Sequence, residues 1–215
     1  MNTRAVAHIL GTLILLLGVT MVLPLLTAVW CQEADGYAFA ISALVAVVVG
    51  VALRFWGSDD EFSHREACAI VTFSWILVAA LAGLPFWLSG VVPTYVDGLF
   101  EAMSGVTTTG ATVLTHVEGV PKATILWRGL LHWIGGMGFV VLSVAVLPNL
   151  GGGRRQLFET EIPGPVPERL KPRIRQTATV LWGIYLVMTL LQILLLLVSK
   201  MSLFEAVVHA FGTMA

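Results

Sequence analysis

The stretch Pro93-Thr94-Tyr95-Val96-Asp97-Gly98-Leu99-Phe100-Glu101-Ala102-Met103-Ser104-Gly105-Val106-Thr107-Thr108-Thr109-Gly110-Ala111-Thr112-Val113-Leu114 decides how the rest of the chain is read. Its apolar part before the threonines covers about 10 residues, roughly 15 Å at 1.5 Å per residue, which is half a bilayer core. A helix of that length enters a membrane and stops. The irregular backbone after it is tolerated at such depth only where protein shields it or where it lines a water-filled cavity. A short helix starting near Asp97, an acceptable cap, and ending near Val106 is therefore expected. Its C-terminal end would face the membrane interior, where unpaired carbonyls carry roughly half a negative charge and favour a cation. The run Thr107, Thr108, Thr109, Gly110, Ala111 and Thr112 then offers successive carbonyls and hydroxyls able to replace an ion's hydration shell. Gly110 is free to take φ angles closed to other residues. A threonine triplet alone also fits an outer loop; the half-length helix before it favours an ion filter.

Charge-free apolar runs flank this stretch at residues 5–32, 36–53, 67–96, 129–153 and 176–199, each of about spanning length. With 57% hydrophobic and 12% charged residues in 215, the chain needs a membrane as its solvent. The first run has a basic start at Arg4 but is too long for a signal-peptide core and lacks a clear cleavage site, so it reads as a retained helix. The net charge of −1 points to no nucleic-acid partner. Two cysteines, Cys31 and Cys68, are too few for a disulfide framework.

Basic residues set the orientation. With the N-terminus cytoplasmic, Arg4, Arg54, Arg65, Arg154, Arg155, Arg169, Lys171, Arg173 and Arg175 are inside and only Lys122, Arg128 and Lys200 outside. Trp30, Trp127 and Trp133 then mark outer boundaries and Trp56 an inner one, as interfacial anchors. The polar, proline-rich and basic loop over residues 149–176 reads as a solvated cytoplasmic connector, with a docking surface as the sharper alternative.

Leu99-Phe100-Glu101-Ala102 reappears as Leu203-Phe204-Glu205-Ala206, at an offset of 104 residues and again after a long apolar run. Tandem pore units around one axis explain it, because several walls are needed to surround an ion. Glu101 and Glu205 are carboxylates within membrane segments, which are expensive and tend to be paired or functional. They either attract cations at the outer mouth or hydrogen-bond to fix the pore loop; their place in the half-helices favours the second. Gly135, Gly136 and Gly138 read as a close-packing face or a hinge. His132 and His209 read as hydrogen-bonded rather than ligating. An embedded enzyme is disfavoured for want of a metal-spaced cluster or a nucleophile elbow, which leaves a structural membrane scaffold as the rival.

These residues resemble Trk-type potassium-uptake membrane subunits of the wider Trk/Ktr/HKT superfamily. The resemblance rests on the segment from Ser104 to Thr112, on Trp133-Ile134-Gly135-Gly136-Met137-Gly138 with Leu147-Pro148, on Pro163-Gly164-Pro165, and on His209-Ala210-Phe211. It implies an all-α integral membrane fold: two leading helices over 1–56, a first helix–pore-loop–helix unit over 57–150, a cytoplasmic linker over 151–174 and a second unit over 175–215. It further implies that the second unit stops at its filter, whose head is Ala215, so that the chain is the N-terminal half of a longer protein. The implied function is potassium transport across a bacterial inner membrane. Potassium would bind through Thr108, Thr109 and Gly110, with Asp97, Glu101 and Glu205 supporting the pore helices. No cofactor is implied. A homodimer, surrounding lipid and a cytoplasmic nucleotide-binding regulatory subunit are the implied partners. Over the Thr-Val-Gly-Tyr-Gly pattern of potassium channels, residues 108–112 keep Gly110 but place Thr112 at the last glycine, which implies looser selectivity.

Overall fold

A computed structural model describes residues 2–59, 64–115, 119–150 and 170–215, and among these every regular element is an α-helix. The chain packs as two units, Met1–Trp133 and Ile134–Ala215.

In the first unit, α1 (Thr3–Thr20) is capped by Asn2, whose side chain accepts from the Ala5 N–H. It runs on into α2 (Val22–Cys31) across a break at Met21. The span expected over 5–32 is therefore one span in two helical pieces. Pro24, third in α2, has no N–H to offer the Thr20 carbonyl, and the ladder resumes when Leu25 donates to Met21 at 3.2 Å. Together the two pieces are long and apolar enough to cross a membrane. Helix α3 (Gly36–Trp56) returns beside α1 with small residues at the crossing. A Cβ on Gly11 would come within 2.7 Å of the Gly50 carbonyl oxygen. Such residues let helices approach where no hydrophobic force drives them together.

Helix α4 (His64–Leu88) ends at Leu88 and not at 96, because the chain turns back there. Ser89 donates to the Pro85 carbonyl and Gly90, at φ 75°, to that of Trp87. Tyr95 and Val96, expected to close this span, instead open α5 (Tyr95–Val106). Helix α6 (Lys122–Leu150) starts seven residues before the expected 129. Its first amides are capped by a distant carboxylate: Glu33 Oε1 accepts from Lys122 N at 2.9 Å and Oε2 from Ala123 N at 3.1 Å. Trp127 is no interfacial anchor. It is fully buried, donates from Nε1 to the Ala82 carbonyl at 3.0 Å and meets Phe39 edge-on at 6.3 Å. Trp30 and Trp56 are exposed.

The second unit holds the remainder of α6, then α7 (Leu170–Val198) and α8 (Leu203–Met214). Helix α7 already begins inside the expected connector, so residues 170–176 are helical; residues 151–169, with the Gly-Gly-Gly-Arg-Arg and proline-rich motifs, lie outside the described residues. The sequence from Gln176 to Val198 is a further segment long enough to span, and its apolar side chains are largely uncovered, which suits a lipid surface or more protein. A Cβ on Gly136 would meet Tyr185 Oη at 3.0 Å and Ala215 Cα at 3.1 Å, whereas one on Gly138 would meet nothing within 4 Å. The glycine face expected from the sequence therefore packs closely at Gly136 but not at Gly138.

Candidate functional site

Helix α5 is 12 residues long, about 18 Å, too short to cross a bilayer core. Its start is fixed by a capping box in which Thr94 is the cap and Asp97 the third helical residue. The Thr94 hydroxyl accepts from Asp97 N while Asp97 Oδ2 accepts from Thr94 N at 3.2 Å. Asp97 is thus the partner of the cap and not the cap itself, and the helix begins two residues before it. Two glycines seat α5 on α4: a Cβ on Gly98 would lie 2.6 Å from the Gly83 carbonyl oxygen. Tyr95 adds a hydroxyl bond to the Ala80 carbonyl at 2.9 Å.

After Val106 the chain leaves the helix through Thr107, whose hydroxyl donates to the Met103 carbonyl at 2.7 Å and lies 2.7 Å from that of Thr109. Thr108 stands at φ 55° and Gly110 at φ 77°, while Thr109 between them stays on the ordinary side. A left-handed β-branched residue is a true outlier, at a cost of roughly 1–2 kcal/mol. The amides of Thr108 and Thr109 bond back to the carbonyls of Gly105 and Ser104, both at 2.9 Å. Among the described residues no donor reaches the carbonyls of Thr108 or Thr109.

The far side of the loop is tied down by buried side chains. Ser104 Oγ donates to the Ala111 carbonyl at 2.6 Å, which turns that oxygen back toward α5. Glu101 is fully buried, and its Oε1 accepts from the Thr112 hydroxyl at 2.5 Å and from Val113 N at 2.6 Å. Its Oε2 accepts from Arg128 Nε at 3.1 Å, and Arg128 Nη2 reaches the Gly110 carbonyl at 3.4 Å. The Arg128 turn is fixed by His132, whose Nδ1 donates to the Arg128 carbonyl at 2.8 Å. From the sequence Arg128 reads only as an outer basic residue. A buried carboxylate one helix away was the available signal, since such a charge requires a partner.

Asp35, the N-cap residue of α3, is buried. Its Oδ2 accepts from Thr124 at 3.0 Å, and burial pushes its carboxyl above the usual carboxylate range, with Glu33 adding to the effect.

The second expected pore helix, α8, is also 12 residues long and also starts with a capping box, Ser202 with Glu205. Ser202 N donates to Glu205 Oε2 at 3.1 Å. Helix position therefore matches Ser202 to Thr94 and Glu205 to Asp97, an offset of 108 and not the 104 read from Leu-Phe-Glu-Ala. That tetrapeptide is displaced by one helical turn. Glu205 caps a helix, whereas the counterpart of Glu101 is His209, which is exposed here. Ala215, expected at the head of a second filter, is the C-cap of α8, as Thr107 is of α5.

Residues 4–214 match the TrkH family, described as cation transport protein. The whole chain is 40% identical to the Trk system potassium uptake protein TrkH of Salmonella typhimurium and 34% identical to TrkG of Escherichia coli, covering 45% and 46% of those proteins. The crystal structure of the potassium transporter TrkH from Vibrio parahaemolyticus has the same fold, with a TM-score of 0.84 at 34% identity over 98% of this chain and 42% of that one. The chain thus spans less than half the length of the curated relatives it matches.

Proposed function

Since the chain belongs to the TrkH family of cation transport proteins, we propose that it carries one wall of a potassium-conducting pore, as part of a Trk-type uptake protein. The observation that supports this reading most is the strained loop of residues 107–112 at the C-terminal end of a half-length helix, with the Thr108 and Thr109 carbonyls unengaged. Potassium binds through the carbonyls of Thr108, Thr109 and Gly110, with the helix end behind them favouring positive charge. Ala111 and Thr112 hold the loop on its far side through Ser104 and Glu101, and Thr107 leads the backbone into it. Asp97 and Glu205 define the starts of two pore helices, and Ala215 leads toward the second filter.

In this reading residues 1–56 are the leading helices, 57–150 the first pore unit, 151–174 the linker and 175–215 the second unit. The protein sits in the bacterial inner membrane with its N-terminus cytoplasmic, works as a homodimer and is gated by a cytoplasmic nucleotide-binding subunit. Potassium is its cargo. The test is complementation of a potassium-uptake-deficient strain by the complete gene. Gly110→Ser, which forces a side chain onto left-handed backbone, should impair growth at low potassium or raise sodium sensitivity more than Gly138→Ala, whose Cβ would meet nothing. Unchanged uptake and sodium sensitivity for Gly110→Ser would remove this loop from the filter.

A further inference from the structure

We infer that Arg128 is a positioning residue, which sets the charge felt by a cation at the Gly110 carbonyl while Glu101 neutralises it. The inference rests on the filter reading above and adds to it a fixed positive charge beside the ion path.

The geometry is a three-part relay. Arg128 holds Glu101 through Nε at 3.1 Å and points Nη2 at the Gly110 oxygen, 3.4 Å away. A guanidinium keeps its charge at every accessible pH and has no acceptor, so it stands near that carbonyl as a permanent competitor of any cation the oxygen would bind. Two unit charges about 6 Å apart at an effective dielectric near 20 repel by about a hundredfold in binding constant. Left unopposed, Arg128 would empty that site.

Glu101 opposes it. The carboxylate is fully buried, while the arginine side chain is 27% exposed, so the anion is held entirely within protein and the cation reaches toward the path. The same carboxylate secures Thr112 and Val113 through its other oxygen. Loop shape and local charge are therefore coupled through one residue, and they can be separated by substitution. Glu101→Gln keeps a carbonyl oxygen for Thr112 and Val113 but removes the negative charge and turns an amide donor, not an acceptor, toward Arg128 Nε. Arg128→Gln removes the positive charge and leaves the carboxylate uncompensated. The two changes push the affinity for a cation in opposite directions, which a merely structural role would not do.

The experiment measures rubidium uptake by the protein expressed from its complete gene in potassium-uptake-deficient cells, normalised to the amount in the membrane. Glu101→Gln should raise KM for rubidium at least tenfold and Arg128→Gln should lower it several-fold. The double variant should return to within about threefold of the parent, and Arg128→Lys, which keeps the charge, should stay within about twofold. If Arg128→Gln fails to accumulate, the recovery of KM from Glu101→Gln to the double variant decides. A parent that carries no rubidium overturns the filter reading and this inference with it. A parent that carries rubidium, with KM rising in both single variants or unrecovered in the double, overturns this inference alone.

Discussion

Helices α5 and α8 have the same length, the same kind of capping box and the same kind of approach from a long apolar helix ending in a left-handed residue, Gly90 before one and Lys200 before the other. They differ in what their inner faces hold. Around α5 a carboxylate, a serine and an arginine grip a strained loop, while the matching place on α8 is occupied by His209. The comparison separates two codes that look alike in sequence. The code for starting a half-helix is local, a hydroxyl followed three residues later by an acid. The code for holding the loop after it is a carboxylate two turns deep with a partner on another helix. Glu101 and Glu205 share a tetrapeptide but belong to different codes.

The largest effect expected from breaking the comparison is at those two residues. Glu101→Ala should destabilise the protein by about 3–5 kcal/mol, because Arg128 loses its ion-pair partner and Thr112 and Val113 their acceptor. Glu205→Ala removes an exposed cap partner, with an expected loss of about 1 kcal/mol. Thermal unfolding of the detergent-solubilised protein compares them, and equal losses would restore the 104-residue register.

A smaller separation is expected where the helices meet their supports. Gly98→Ala places a Cβ against the Gly83 carbonyl and should cost about 1–3 kcal/mol by overpacking. At the matching position, Ala206→Gly removes a buried methyl and helix propensity, about 1 kcal/mol plus the lost packing. Protease resistance of the two variants would rank them.

The caps should behave alike. Thr94→Ala and Ser202→Ala are each expected to lose about 1 kcal/mol, and a difference much larger than that between their melting curves would mean that the two boxes are not equivalent.

The smallest effect lies in the turns. Lys200 stands at φ 67°, so Lys200→Gly should relieve roughly 1 kcal/mol of strain, seen as a modest rise in melting temperature. Gly90→Lys should cost a similar amount.

Much of this was legible in the sequence where the signal is short-range. Apolar runs of about 20 residues mark spans because lipid offers no partner for backbone groups, and the half-length run before the threonines could not cross for the same reason. The left-handed backbone at Gly110 was legible too, because glycine takes it without steric cost, whereas the same hand at Thr108 was not. Span ends were read less well. The third run looked continuous to 96 because Tyr95 and Val96 are apolar, although Thr94 and Asp97 already spelled a helix start. The start of α6 was invisible, because its cap is Glu33, 89 residues away from Lys122 in the chain.

The sequence by itself determined that the chain is helical and membrane-embedded, that one segment enters without crossing, and that a threonine-glycine run follows it, because hydropathy and propensity are properties of neighbouring residues. Only the tertiary structure decided that Glu101 pairs with Arg128, that Trp127 is a core residue, and that the repeat runs at 108. A buried charge has no fixed sequence distance to its partner. The partner is whichever residue the packing of α5 against α6 brings within about 3 Å of it.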